Sequence, residues 1–161
     1  MDETRALSGR YVAVVGPADS ATTSDLAHAE EVGRLLARAG AVVLTGGHHG
    51  VMAAAARGAT GAGGVAIGLL PGLDRSEGSS AHTHLLPTGL GELRNGLLVR
   101  AADAVVAVGC SWGTLSEIAL ARRTGVPLVL LDAWDLPADA GDVVTGPGEV
   151  LAAVARRLAG S

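Results

Sequence analysis

Short apolar runs punctuate the chain, and longer stretches with helical periodicity separate most of them. The runs consist of Val, Leu, Ile and Ala without polar alternation, which is typical of parallel strands covered on both faces. The stretches between them repeat apolar residues every three or four positions, as helices do. This alternation predicts an α/β fold, a doubly wound parallel sheet with helices on both faces. The predicted strands are residues 10–15, 41–44, 65–70, 84–87, 105–108, 128–131 and 143–144, and predicted helices begin near residues 24, 51, 89, 114 and 147.

A length of 161 residues corresponds to one domain that can bury a core without disulfides. Residues 1–9 are polar and unpatterned, which predicts a flexible N-terminus ahead of a single domain over 10–161. Aromatic residues make up 2% of the chain and Phe is absent, so the predicted core consists of Ala, Val and Leu. In the helix predicted over 89–101, the spacing places Leu90, Leu93, Leu97 and Ala101 on the buried side.

The stretch 104–120 combines a buried strand, a glycine-rich loop and the start of a helix. Gly109 and Gly113 bracket the loop, where glycine permits positive φ and lets a ligand approach the backbone. The helix that follows offers unpaired N–H groups to an anion. Thr114 and Glu117 also have the spacing of a capping box, so Glu117 has two competing interpretations, a helix cap or a functional carboxylate.

A second loop of the same kind spans residues 45–50. Gly46 and Gly50 precede Gly109 and Gly113 by sixty-three positions, and each loop follows an Ala-Val-Val run. Chance can produce this match in a chain rich in Ala, Val and Gly. The alternative is a pair of related strand-loop-helix units whose loops face one cleft at the carboxyl ends of the strands.

Charge and composition exclude several classes of protein. The net charge is −4 and no basic stripe is present, which argues against nucleic acid as a partner. No apolar run is long enough to span a membrane, and the single Cys110 favours a reducing, cytoplasmic location. All twelve basic residues are arginines, so neither a pyridoxal-phosphate lysine nor a Walker A lysine exists. Neither glycine loop has the G-x-G-x-x-G spacing of a dinucleotide site.

Three segments carry a resemblance to a known superfamily, and together they extend it over nearly the whole chain. They are Gly46-Gly47-x-x-Gly50-Val51-Met52, Gly89-Leu90-Gly91-Glu92-Leu93-Arg94-Asn95 and Gly113-Thr114-Leu115-Ser116-Glu117.

These segments resemble the SLOG superfamily of Rossmann-like proteins. Its LOG members are phosphoribohydrolases that release a free base from nucleoside 5′-monophosphates and were long labelled lysine decarboxylases. The more similar branch contains short bacterial proteins and molybdenum-cofactor carrier proteins. The resemblance therefore implies a small phosphorylated ligand, either hydrolysed by a LOG-like N-glycosidic hydrolase or bound intact by a carrier or sensor. The resemblance also implies that the protein requires no cofactor for activity and that its bound molecule is a nucleotide monophosphate or the molybdenum cofactor.

Residue by residue, the resemblance implies that Arg94 and Glu117 form a catalytic pair and that Gly113 and Thr114 contact phosphate. The LOG pattern P-G-G-x-G-T-x-x-E is replaced here by VGCSWGTLSE, and Asn95 stands where a second basic residue is usual. These departures weigh against catalysis more than against binding. The complete set of candidate ligand-binding residues is Gly16, Gly46, Gly47, His48, Gly50, Met52, Asn95, Gly109, Ser111, Trp112, Gly113 and Thr114.

Other features keep two interpretations. Trp112 can stack on a planar base or pterin, or it can belong to an interface. His48 and His49 can contact phosphate or face solvent, and His82 with His84 gives too weak a pattern to predict a metal site. A homodimer or homotetramer is expected, with alanine-rich helices such as 51–59 providing close contacts.

Overall fold

The computed structural model describes residues 5–160, and these form one seven-stranded sheet in which every neighbouring pair of strands is parallel. The predicted α/β doubly wound sheet is therefore confirmed. Its strands are β1 Tyr11–Val15, β2 Val42–Thr45, β3 Ala66–Leu70, β4 His84–Pro87, β5 Ala104–Val108, β6 Leu128–Leu131 and β7 Asp142–Val144, and its helices are α1 Thr23–Arg38, α2 Val51–Gly61, α3 Arg94–Ala101, α4 Trp112–Thr124 and α5 Val150–Ala159.

The strand order is β4-β3-β2-β1-β5-β6-β7, so the chain reverses its direction across the sheet after β4. Strands β2, β3 and β4 follow one another outward on one side of β1, and β5 pairs with the other side of β1. Where the order reverses, the loops after neighbouring strands diverge and leave a crevice at the carboxyl edge. The fold therefore opens its crevice beside β1.

The two faces of β1 belong to different layers of the core. Val12 and Val14 pack with α1, α2 and α5, whereas Ala13 and Val15 pack with α3 and α4. Because successive strand side chains point to opposite faces, an unbroken apolar strand serves both layers. This arrangement confirms that helices cover both faces of the sheet.

Helices α1 and α2 pack closely because glycines remove side chains from their contact. A Cβ added at Gly33 would overlap the carbonyl of Ala55, and one at Gly58 would overlap the carbonyl of Glu30. The alanines of α2 are buried in this contact and against the sheet. The prediction that the alanine-rich helix joins subunits is therefore wrong, since its small residues pack within the chain.

Helix α3 turns a different face inward from the one predicted. Leu98 and Val99 are its buried residues, while Leu90, Leu93 and Leu97 are 43%, 77% and 43% exposed. Ala101 is exposed as well. Leu90 and Leu93 precede α3, and the buried positions of the helix lie one residue beyond the predicted Leu97. A 3-10 turn at Gly91–Leu93 precedes α3 and shifts its start from the predicted position.

At the N-terminus, the segment predicted to be flexible lies partly outside the described residues. Within the described part, Leu7 is buried and its N–H donates to the Ala39 carbonyl at 2.9 Å. In the described chain no helix has the length and apolar character needed to cross a membrane.

Candidate functional site

A cavity of about 280 Å³ opens in the crevice at the carboxyl edge of the sheet. It draws on the ends of β1 and β3, on the loops after β2 and β5, and on the first turns of α3 and α4. The predicted candidates that line it are Gly16, Gly46, Met52, Arg94, Asn95, Ser111, Gly113, Thr114 and Glu117.

The sequence did not single out five further residues of this lining. Val15 and Ala18 line the cavity because β1 ends beside the crevice. Gly91 and Glu92 line it because they belong to the same sequence motif as Arg94. Pro71 follows β3, and only the sheet order brings it here. Conversely, Gly47, His48, Gly50, Gly109 and Trp112 are not among the lining residues.

Arg94 begins α3 and lies across the glycine loop after β2. A Cβ on Gly46 would overlap the Arg94 guanidinium, so this position admits only glycine while Arg94 holds its place. The Arg94 Nε is buried and, within the described chain, has no hydrogen-bond partner. Burial lowers the pKa of Arg94 from its ordinary value, and Glu117 opposes that shift. An orphaned guanidinium N–H beside a cavity is suited to a bound acceptor.

Glu117 lies in the second turn of α4 and is 8% exposed. Burial raises the pKa of its carboxyl from 4.5 to about 7, and the charge of Arg94 only partly offsets that effect. No ion pair within 4 Å joins it to Arg94 among the described residues. Near neutral pH this side chain is therefore poised between a hydrogen-bond donor and an acceptor.

The start of α4 differs from the predicted capping box. Ser111 is the N-cap, and its hydroxyl accepts from the Thr114 N–H at 3.3 Å. Thr114 therefore lies inside the helix and Glu117 is not the reciprocal cap, so the capping interpretation of Glu117 is wrong. A Cβ on Gly113 would meet only Ser111 Oγ at 3.9 Å, which leaves the backbone at the helix start open to a ligand.

The loop after β2 is supported from behind by a buried histidine. His82 Nδ1 lies 3.0 Å from the Ser79 carbonyl, so Nδ1 carries the proton and Nε2 accepts from the Thr45 hydroxyl at 2.5 Å. Thr45 Oγ1 in turn accepts the Gly47 N–H at 2.9 Å. Burial lowers the pKa of His82, which keeps the ring neutral in this role. Gly47 thus supports the site without lining it.

The remaining candidates have structural positions around the cavity. Gly109 has φ +71° and packs on the Asp25 carboxylate, and Gly50 has φ +71° ahead of α2. His49 bonds Asp19 at the surface. Trp112 is 79% exposed and its ring meets Trp134 edge to face at 4.9 Å. Within residues 5–160, no three His, Cys, Asp or Glu side chains are grouped to hold a metal ion.

The fold and the cavity define a Rossmann-like protein with an arginine and a helix N-terminus facing one crevice. The model of the SLOG cluster4 family matches residues 9–153, and the chain belongs to that family. This confirms the resemblance drawn from the glycine loops and the arginine segment.

Solved structures with the same fold include two whose names mention the molybdenum cofactor. One is the molybdenum cofactor binding protein of the phototrophic bacterium Rippkaea orientalis, with 37% identity, a TM-score of 0.84 and coverage of 89% of this chain and 93% of that one. The other is the molybdenum cofactor carrier protein of Chlamydomonas reinhardtii, with 36% identity, a TM-score of 0.86 and coverage of 93% and 98%.

A sequence relative from Archaeoglobus fulgidus, named an uncharacterized protein, is 39% identical over 97 residues. That match covers 60% of this chain and 64% of the relative.

Proposed function

We propose that this protein binds a phosphorylated organic anion in the cavity beside β1 and carries it intact, with the molybdenum cofactor as the class of cargo. The observation that carries the proposal is the buried Arg94 Nε, which has no hydrogen-bond partner among the described residues and lies beside the open start of α4. Two relatives that align over most of this chain are named for this cofactor.

The residues of the cavity fit the phosphate end of such a ligand. Arg94 offers a charged donor, and Gly113 leaves the helix start free of side chains. The molybdenum cofactor contains a pterin, a phosphate ester and sulfur atoms that hold its own metal. The chain therefore supplies donors to the organic part, and the chemistry of the metal belongs to the cargo.

A LOG-like hydrolysis of nucleoside monophosphates is the second candidate, and Glu117 favours it. A buried carboxyl whose pKa lies near 7 is suited to proton transfer when a glycosidic bond breaks. Incubation with AMP, followed by chromatography, tests this candidate. Free adenine above the level given by Glu117→Gln supports hydrolysis, whereas intact AMP supports carriage.

Calorimetry with AMP as a phosphate-ester probe tests the site itself. We expect Arg94→Ala to weaken binding by about 1.5–3 kcal/mol, which is more than tenfold, because a charged hydrogen bond is lost. Arg100→Ala is the matched control, since Arg100 lies on the same helix and is exposed. Unchanged affinity in a folded Arg94→Ala protein would contradict the site. Mass spectrometry of the denatured protein then identifies any cargo that co-purifies.

We also propose that the chain forms a homo-oligomer and acts in the reducing cytoplasm, where Cys110 stays unpaired. The exposed leucines Leu90, Leu93 and Leu97, which lie just before and within α3, support the first part, because a group of exposed apolar side chains is typical of an interaction surface. These exposed leucines replace the alanine-rich helix as the contact surface.

A further inference from the structure

We propose that a second cavity, after β6 and β7, binds the planar heterocyclic ring of the ligand whose phosphate lies beside Arg94. This inference rests on the proposed function and extends it to the other end of the same molecule. The ring class is one with an adjacent ring N–H and amino group, as in guanine or a pterin.

The second cavity has a volume of about 490 Å³ and opens at the same carboxyl edge of the sheet. Residues after β6 and at the end of β7 line it, among them Asp132, Trp134, Asp135 and Thr145. Because β5, β6 and β7 are parallel neighbours, this cavity lies next to the loop that begins α4.

Two tryptophans connect the two cavities. Trp112 follows Ser111 and precedes Gly113, both of which line the phosphate cavity. Its ring meets Trp134, which lines the second cavity, with a centroid distance of 4.9 Å and an interplanar angle of 79°. A ligand that extends from the start of α4 toward β6 therefore passes this aromatic pair.

The exposure of both rings favours a stacking role. Trp112 is 79% exposed and Trp134 is 40% exposed, although the chain contains only three aromatic residues. Indole groups lose favourable burial when they face water, so an exposed pair beside a cavity is suited to a planar partner. Their edge-to-face arrangement leaves ring surface available to that partner.

The polar groups of the cavity select the ring. Asp135 is exposed and its carboxylate takes part in no hydrogen bond within the described chain. A carboxylate accepts two parallel N–H bonds, which matches the adjacent ring N–H and amino group of guanine and pterins. Asp132 is held by His28 Nδ1 at 2.7 Å and has φ +55°, so its position is fixed at the end of β6.

Intrinsic fluorescence gives a selective measurement, because Trp112 and Trp134 are the only tryptophans in the chain. We expect GMP to quench the emission and to bind more tightly than ribose 5-phosphate, which has no ring. Trp134→Leu and Asp135→Asn should each lower GMP affinity about tenfold while leaving ribose 5-phosphate affinity unchanged. Neopterin, which has the ring without phosphate, should bind wild type and Arg94→Ala equally well in calorimetry.

The outcomes separate the two proposals. The ring site is overturned if wild type, Trp134→Leu and Asp135→Asn bind GMP with equal affinity. The phosphate site is tested separately, by the binding of ribose 5-phosphate. Loss of ribose 5-phosphate binding in Trp134→Leu or Asp135→Asn also overturns it, since these residues would then act on the phosphate end. A change in molecular mass of Trp134→Leu with unchanged GMP affinity assigns the aromatic pair to a subunit interface and likewise overturns the proposal.

Discussion

Glu117 and Arg94 face one cavity with opposite charges, yet burial dominates the protonation of Glu117. Burial raises the pKa of the carboxyl to about 7, although the nearby Arg94 guanidinium acts in the opposite direction and lowers it. An anion bound beside Arg94 adds negative charge to the same cavity. The protonated form of Glu117 is therefore the form compatible with a bound phosphate.

The difference in stability between wild type and Glu117→Gln should depend on pH in a defined direction. The folded carboxyl has a pKa of about 7 against an ordinary 4.5, so the folded state holds the proton more tightly. Wild-type stability therefore falls as pH rises from 4.5 to 7. We expect Glu117→Gln to match wild type below this window and to exceed it by about 3 kcal/mol above pH 7. Denaturant unfolding at a series of pH values measures this.

Glu92→Gln is the control for that series. Glu92 lines the same cavity but is exposed. Its substitution should leave the pH profile of stability unchanged. A Glu117→Gln curve parallel to wild type across the window would show that the carboxyl is not buried in a raised-pKa environment.

Among the elements, the contact between α1 and α2 depends on Gly58. A Cβ there would overlap the Glu30 carbonyl, and backbone atoms have little room to move. We expect Gly58→Ala to lower the free energy of unfolding by about 1–3 kcal/mol, as overpacking does. Chemical denaturation measures the change.

Gly61 provides a control on the same helix. Among the described residues nothing lies within 4 Å of a Cβ built there, and its φ is not positive. Gly61→Ala should therefore stabilise the protein by about 0.5–1 kcal/mol through helix propensity. Equal effects at the two positions would contradict the close approach of α1 and α2.

Element types were predictable, and the details of helix ends were not. Periodicity identified the strands and helices because an apolar strand in a parallel sheet has an unambiguous pattern. It failed at α4, where Ser111 and Thr114 both have hydroxyls and only the backbone path decides which one caps. It failed at α3 because the spacing of Leu90, Leu93 and Leu97 does not show that a 3-10 turn precedes the helix and changes which side chains face the sheet.

On the scale of the whole molecule, the sheet order assembles the candidate site. Gly46 lies in the loop after β2 and Gly113 in the first turn of α4, after β5. Since β2 and β5 flank β1, the predicted shared cleft follows from the topology. The sequence indicates no role for His82 beyond a weak metal pattern with His84, whereas the structure places its buried ring behind the loop after β2. Its pairing with Thr45 joins residues 37 positions apart, which no local pattern records.

The oligomeric state can be tested through the exposed leucines Leu90, Leu93 and Leu97. We expect light scattering to give a mass above the 15.9 kDa of one chain, and Leu93→Glu to reduce it by placing charge on the contact surface. Val143→Glu is the control, because Val143 is 77% exposed and lies in the edge strand β7. A monomeric wild type at high concentration would contradict the proposal.

The support behind the loop after β2 has a kinetic consequence. Gly47 donates its N–H to Thr45, and its carbonyl accepts the Ser79 N–H at 2.8 Å, so both backbone groups are fixed before any ligand arrives. Because this loop is already ordered, binding loses little conformational entropy there. Opening of this segment is therefore not expected to limit either association or release. Under the proposed carrier function, transfer of the cargo to a recipient would then not wait for this loop to rearrange.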